Sequence, residues 1–439
     1  MENLLVARTL MGISLGFHII YVAFGIGFPL LLLIAEFRAL QTGNALYHEL
    51  ANSWIRPMTM LVAIGAVSGT VLSFELGLLW PVFMGSCGPM IGLPFWLEGF
   101  AFFLEAIFLA LYVYGEKRLS RRVRFLTTIP ISIFSAASAV FVISANSWMN
   151  TPAGCDFLNG NLVNIRPWQA MANASLLHEA IHGLLATYVA STFALSGIYA
   201  YRIFKKRLSD ENKLGLSLTL AIGGLLLPLM LVSGDFAATR VALLQPAKLA
   251  AMEAVPETVS GAPLVIGGWL DQSTNQLRYA ILIPKMLSVL AYHNPNAIVK
   301  GINAFPPGLT PNPNIVHPFF DLMIMSFFIM LASAAWFWIS HWKGRDAFTK
   351  RPLLIGIIIS SPFGLLAQEF GWFVTEFGRQ PWIAGGVMLV AKGVTPRSIE
   401  WVLFIIVLVY LALTIGLLKL LLAPPVIKSG IPSEEEYFR

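Results

Sequence analysis

Two glutamates seven residues apart, Glu98 and Glu105, stand in an otherwise apolar run, and Glu369 and Glu376 repeat that spacing. Seven residues is about two helical turns, so each pair shares one helix face. Arg8, His18, Glu75, His178, Glu179, His182, Asp235 and Asp321 interrupt other apolar runs. Such groups cost about 2.5–3.5 kcal/mol each inside lipid, which makes each a candidate site residue. Buried carboxylates can relay protons, imidazoles can bind metals, and arginines can pair with anions. Depth adds a second regularity. His178, Glu98 and Glu376 fall within a turn or two of the outer helix ends, and His18 and Met325 lie roughly 15 Å in.

One short pattern points elsewhere. His178-Glu179-Ala180-Ile181-His182 matches H-E-x-x-H, which sets two zinc ligands beside a general base. An intramembrane zinc metalloprotease is therefore an alternative, with Asp235 as third ligand, although it leaves Glu98, Glu105 and Glu376 without a role. A proton-coupled transporter is a further alternative, resting on the buried carboxylates alone. Taken singly, Asp321 and Glu179 read as structural interhelical hydrogen bonds. His48, His293 and His341 read as surface groups.

The composition says what must position these residues. Of 439 residues, 57% are hydrophobic and 12% charged, about half the charged share of a soluble protein; mean hydropathy is +0.73. That excludes a set of soluble domains, a disordered chain and a disulfide-stapled one. The net charge of +6 comes from short basic runs between apolar segments, a sign of membrane topology and not of nucleic-acid binding. Two cysteines are too few for a zinc ribbon or a multi-cysteine cluster. MENLLVARTLMG lacks a basic region and a cleavage site and reads as the start of a first span.

Runs long enough to cross a bilayer occur at about 9–36, 55–80, 94–115, 126–148, 174–202, 215–238, 316–341, 352–376 and 400–423. The expected fold is an all-α integral membrane protein, a bundle of about nine transmembrane helices. Six spans fill 1–238, a long outer (periplasmic) loop fills 239–315, and three spans and a tail fill 316–439. Lys117, Arg118, Arg121, Arg122 and Arg124 follow span three, Arg202, Lys205, Lys206, Arg207 and Lys213 follow span five, and Lys343, Arg345, Lys350 and Arg351 follow span seven. The positive-inside rule then places the N-terminus outside and the C-terminus, with Glu434, Glu435 and Glu436, in the cytoplasm. The outer loop contains an expected amphipathic helix near Lys248–Glu257 and an apolar stretch, Tyr279–Tyr292. Cys87 and Cys155 both fall on the outer side, where a disulfide and two free thiols are both open.

Several long motifs carry a resemblance over nearly the whole chain: SGTVLSFELG through Glu75, EGFAFFLEAIF at 98–108, ANSWMNTP at 145–152, QPAKLAAMEA at 245–254 and GWFVTEFGRQPW at 371–382. The chain resembles subunit I of the cytochrome bd-type quinol oxidases, and more closely their cyanide-insensitive branch. The resemblance implies a bacterial inner-membrane enzyme that oxidises quinol at the outer face, reduces dioxygen to water with cytoplasmic protons and contributes to proton motive force. It implies three haems: a low-spin haem b, a high-spin haem b, and a haem d or further haem b. His178 and Met325 match the low-spin axial pair, and His18 and Glu376 the ligands of the high-spin haems. Arg8, Glu75, Trp372 and Arg379 match haem-propionate or supporting positions. Lys248 and Glu253 match the quinol pair; on a regular helix they would stand about 140° apart. Glu98, Glu105, Ser138 and Asn146 match positions of proton delivery and haem support. Implied partners are subunit II and a small single-helix subunit, with membrane quinol and dioxygen as substrates. The chain departs at Met323, where many members carry arginine.

Overall fold

Apolar stretches of this length fold as helices because, without water, only a helix satisfies all its own backbone groups. The computed structural model describes residues 2–422, apart from 117, 159–160, 272, 345 and 398. Lys117, Arg345 and Glu434–Glu436 lie outside the described residues.

The helices are α1 (Glu2–Thr42), α2 (Ala45–Leu79), α3 (Pro81–Tyr114), α4 (Arg121–Asn150), α5 (Pro167–Met171), α6 (Leu176–Phe204) and α7 (Asp210–Leu244). There follow α8 (Pro246–Met252), α9 (Met286–Tyr292), α10 (Pro313–Trp342), α11 (Arg351–Ser360), α12 (Phe363–Phe377), α13 (Val390–Gly393) and α14 (Glu400–Leu422). Among the described residues nine helical segments are long and apolar enough to cross a membrane, α11 and α12 together forming one. Starts follow local chemistry. Asn44 accepts from the Leu46 N–H at 3.0 Å and Ser209 from that of Asn212 at 3.2 Å. Pro81, Pro246 and Pro313 occupy first turns, where a missing N–H costs nothing.

Several helices outrun the expected spans, because hydropathy marks only the hydrocarbon-facing part and the backbone ladder continues beyond it. The expected boundary at 238/239 thus falls inside α7, and α3 begins at Pro81 and not near 94. The eighth span is broken at Ser361-Pro362.

The central helix is α6, which packs against α1, α4, α7, α11 and α12. Small residues permit that approach. A Cβ on Gly27 of α1 would collide with the Ser191 side chain, and one on Gly364 of α12 would stand 2.8 Å from the Ala190 Cα. Large side chains such as Phe103, Leu225, Val232 and Phe404 stay exposed on the outside of the bundle, where lipid is their solvent.

The long segment between α7 and α10, expected on the outer side, is ordered. Three antiparallel pairings nest inside one another: β3 (Val259–Ser260) with β8 (Ile298–Val299), β4 (Leu264–Ile266) with β7 (Ile281–Ile283), and β5 (Trp269–Asp271) with β6 (Gln276–Arg278). Leu249, Ala251, Val255, Leu287, Val299, Val316 and Val374 form a buried cluster that seats this segment on α10 and α12. The expected helix near Lys248–Glu257 is α8, which stops at Met252 as Ala254 turns left-handed at φ 47°. Tyr279–Tyr292 divides into β7 and α9. Two further hairpins, β1 (Asp156–Leu158) with β2 (Asn161–Val163) and β9 (Trp382–Ala384) with β10 (Met388–Leu389), complete the fold. Cys87 on α3 is buried, Cys155 is partly so, and both are free thiols.

Candidate active site

Most of the titratable residues that the sequence singles out inside the spans line one cavity of about 2330 Å³. Arg8 and His18 of α1, Glu98 and Glu105 of α3, Ser138 and Asn146 of α4, and His178 of α6 all line it. So do Lys248, Glu253, Met325 of α10, Trp372 and Glu376 of α12, and Arg379. Glu75 and Glu369 do not. Glu75 is buried and accepts from the Ser14 hydroxyl at 2.6 Å, and Glu369 lies against Gly16 of α1.

The donor set suits haem iron. The His178 Nε2 is buried with no protein partner, so a ring nitrogen is free to ligate. Met325 exposes 48% of its surface while lining the cavity. His18 Nδ1 and the Ser68 hydroxyl are 2.8 Å apart, which fixes the ring and leaves Nε2 open. Glu376 is held at both oxygens, by Asn146 Nδ2 at 2.7 Å and Arg379 Nη2 at 2.6 Å, and each oxygen keeps a lone pair. A Cβ on Gly12, Gly25 or Gly99, all lining the cavity, would meet no atom within 4 Å, so there is room for flat groups of haem size.

At the outer end Asn150 is a hub. Its Oδ1 accepts from the Lys248 ammonium at 3.3 Å and from Arg379 Nη1 at 3.4 Å, and its Nδ2 donates to Glu179 at 2.9 Å. The sequence marked Glu179 as an interhelical bond; it is one, but its partner also touches the two cations. Lys248 and Glu253 reach one cavity despite their helical offset, because α8 ends between them. Burial pulls the Lys248 ammonium well below the usual lysine range, opposed by Glu179. Burial, and then Asp321, push the Glu253 carboxyl up to about 8.

The expected third zinc ligand of the H-E-x-x-H reading is elsewhere: Asp235 pairs with His293 at 3.0 Å. His182 Nδ1 meets the Ser233 hydroxyl at 3.0 Å. Among the described residues no three His, Cys, Asp or Glu side chains converge on one point. His48 and Arg124 also depart from expectation. Arg124, read as a loop charge, is buried and meets His48 Nε2 at 3.0 Å, while His48 Nδ1 meets Glu36, which accepts from Tyr112 at 2.5 Å.

Sequence reasoning missed Asn150 and His317. For Asn150 a signal existed, since it follows Asn146 by one helical turn and so shares its face. For His317 the only signal was Asp321 one turn further on, since its other partners are backbone carbonyls distant in the chain.

Comparison with known proteins agrees. The chain is 35% identical to the putative cytochrome bd menaquinol oxidase subunit I of Bacillus subtilis, covering 92% of each chain. It is 24% identical to the cytochrome bd-II ubiquinol oxidase subunit 1 of Escherichia coli, covering 96% of each. The bd oxidase structure from Geobacillus thermodenitrificans superposes with a TM-score of 0.91 at 36% identity, over 96% of this chain and 99% of that one. The family model for cytochrome bd terminal oxidase subunit I matches residues 6–428, and the chain belongs to that family.

Proposed function

We propose that this catalytic subunit of a terminal quinol oxidase, a quinol:oxygen oxidoreductase, oxidises quinol at Lys248 and Glu253 and uses the electrons to reduce dioxygen deeper in the same cavity. The observation that carries this is the cavity itself, which joins Lys248 and Glu253 to His178, Glu376, Glu98, Glu105 and His18 within one chain.

His178 and Met325 would hold a low-spin haem b, and His18 and Glu376 the iron of two further haems, three in all. Bound there, the haems supply one-electron transfer and oxygen chemistry. The residues do the rest. Lys248 hydrogen-bonds a quinol oxygen, and Glu253, whose Oε2 is buried without a partner, accepts the hydroxyl proton. Arg8 and Arg379 would neutralise haem propionates, and Trp372, whose indole N–H is buried without a partner, would donate a hydrogen bond there. Glu105 and Glu98, with Ser138 and Asn146, serve proton delivery and haem-site support, Asn146 by holding Glu376, and Glu75 adds support from α2 through Ser14. Cytochrome bd oxidases work with a subunit II; a small single-helix subunit is a further expected partner. The basic loops support an N-terminus outside and a C-terminus inside a bacterial inner membrane, so that protons for oxygen reduction come from the cytoplasm.

The test is a pyridine-haemochrome assay together with quinol-driven oxygen uptake on the intact complex. Three haems per subunit and quinol-dependent uptake are expected. A complex without haem, or with stoichiometric zinc in its place, overturns the assignment.

A further inference from the structure

His317 opens the second turn of α10, is 2% exposed, and sits beneath the outer segment. Both of its ring nitrogens face backbone carbonyls: Nδ1 is 2.8 Å from the Met252 oxygen and Nε2 is 3.0 Å from the Gly267 oxygen. A carbonyl oxygen only accepts, so each contact is made by a ring nitrogen acting as donor. Asp321, one turn along α10, stands 3.5 Å from Nε2. The Asp321 carboxylate also accepts from the Gly267 N–H at 2.6 Å. His317 and Asp321 therefore grip both the N–H and the C=O of Gly267, and His317 alone grips Met252.

Those two points matter by position. Met252 is the last residue of α8 and precedes Glu253, and Gly267, at φ 65°, ends the cavity-lining strand β4. We infer that His317 is a positioning residue for quinol oxidation: with Asp321 it clamps the α8 end and the β4 turn, and so fixes where Glu253 meets the quinol ring. It touches no substrate itself. The ligand class is a two-hydroxyl aromatic ring, and the inference rests on the assignment of Lys248 and Glu253 as its site. Asp321 also stands close enough to Glu253 to disfavour its ionised form.

The experiment uses the intact complex with a short-chain quinol. His317→Phe removes both bonds, His317→Gln retains one donor, and Glu253→Gln is the control. The expected result is a KM for quinol raised at least tenfold in His317→Phe and less in His317→Gln, with kcat changed less than KM. The haem spectrum should stay intact, and amide exchange should rise in 246–270. Haem lost in step with activity marks a general structural role and overturns the clamp, as does unaltered exchange or an unaltered KM beside an impaired Glu253→Gln. Wild-type kinetics in Glu253→Gln overturn the site assignment beneath it. If His317→Phe does not assemble, Asp321→Asn carries the same readouts.

Discussion

The ammonium of Lys248 donates to the side-chain oxygen of Asn150, and the guanidinium of Arg379 donates to that same oxygen from the other side. One neutral amide thus receives two cations and, through its nitrogen, contacts the Glu179 carboxylate. Lys248 and the residue that holds Glu376 are joined by a single side chain.

Asn150→Ala leaves those buried groups short of partners, at about 1–3 kcal/mol each. The expected effect is a drop in quinol kcat/KM on the order of ten- to a hundredfold, read by steady-state oxygen consumption. An unchanged kcat/KM would remove Asn150 from the site.

Glu253 gives a pH dependence with a definite sign. With its carboxyl pushed up to about 8, it is mainly protonated at neutral pH and must ionise to accept a proton. The quinol kcat/KM should therefore rise with pH and level off above about 8, by up to tenfold per unit below that point. Glu253→Gln should lower the rate and flatten this limb; a limb that survives the substitution belongs to another group.

His178 and Met325 can be separated from the other proposed ligands. Met325→Leu should convert one haem from its low-spin spectrum and lower its reduction potential, because a thioether ligand raises that potential. His18→Ala and Glu376→Ala should leave the low-spin signal in place. Redox-titrated absorbance reads both, and a low-spin band unmoved in Met325→Leu would refute the pairing.

Packing is testable at Gly27. The Cβ of Gly27→Ala would collide with Ser191, and overpacking of this kind costs about 1–3 kcal/mol. The purified complex should unfold at a lower temperature, and adding Ser191→Gly should recover most of the loss. An unaltered transition would show that α1 and α6 can separate freely.

The spans were readable because roughly 20 consecutive apolar residues have few alternatives to a membrane helix. Their ends were not, since Thr239 and Arg240 interrupt the apolar run while the backbone ladder of α7 continues through them to Leu244. Most of the site was readable for the opposite reason, scarcity. Glu98, Glu105, His178 and Glu376 stand out where charge is costly, and all of them line the cavity. What stayed hidden depended on distant chain segments. Helical spacing set Lys248 and Glu253 apart, and only the stop of α8 at Met252 brings both into one cavity. Glu75 carried the same signal as the others, yet its partner is Ser14 and it does not line the cavity. His48 and Arg124 looked like surface groups until Glu36 and Tyr112 closed around them.

The nested pairings of the outer segment have a practical corollary for protein engineering. Each pairing sets the separation of the strands beneath it, and β5 and β6 form the innermost rung, capped by an exposed turn around Ser273 and Thr274. Residues spliced into that turn lengthen the chain without altering the rungs that hold Gly267 in place. An affinity tag or a fluorophore inserted there offers a handle at the exposed end of these pairings.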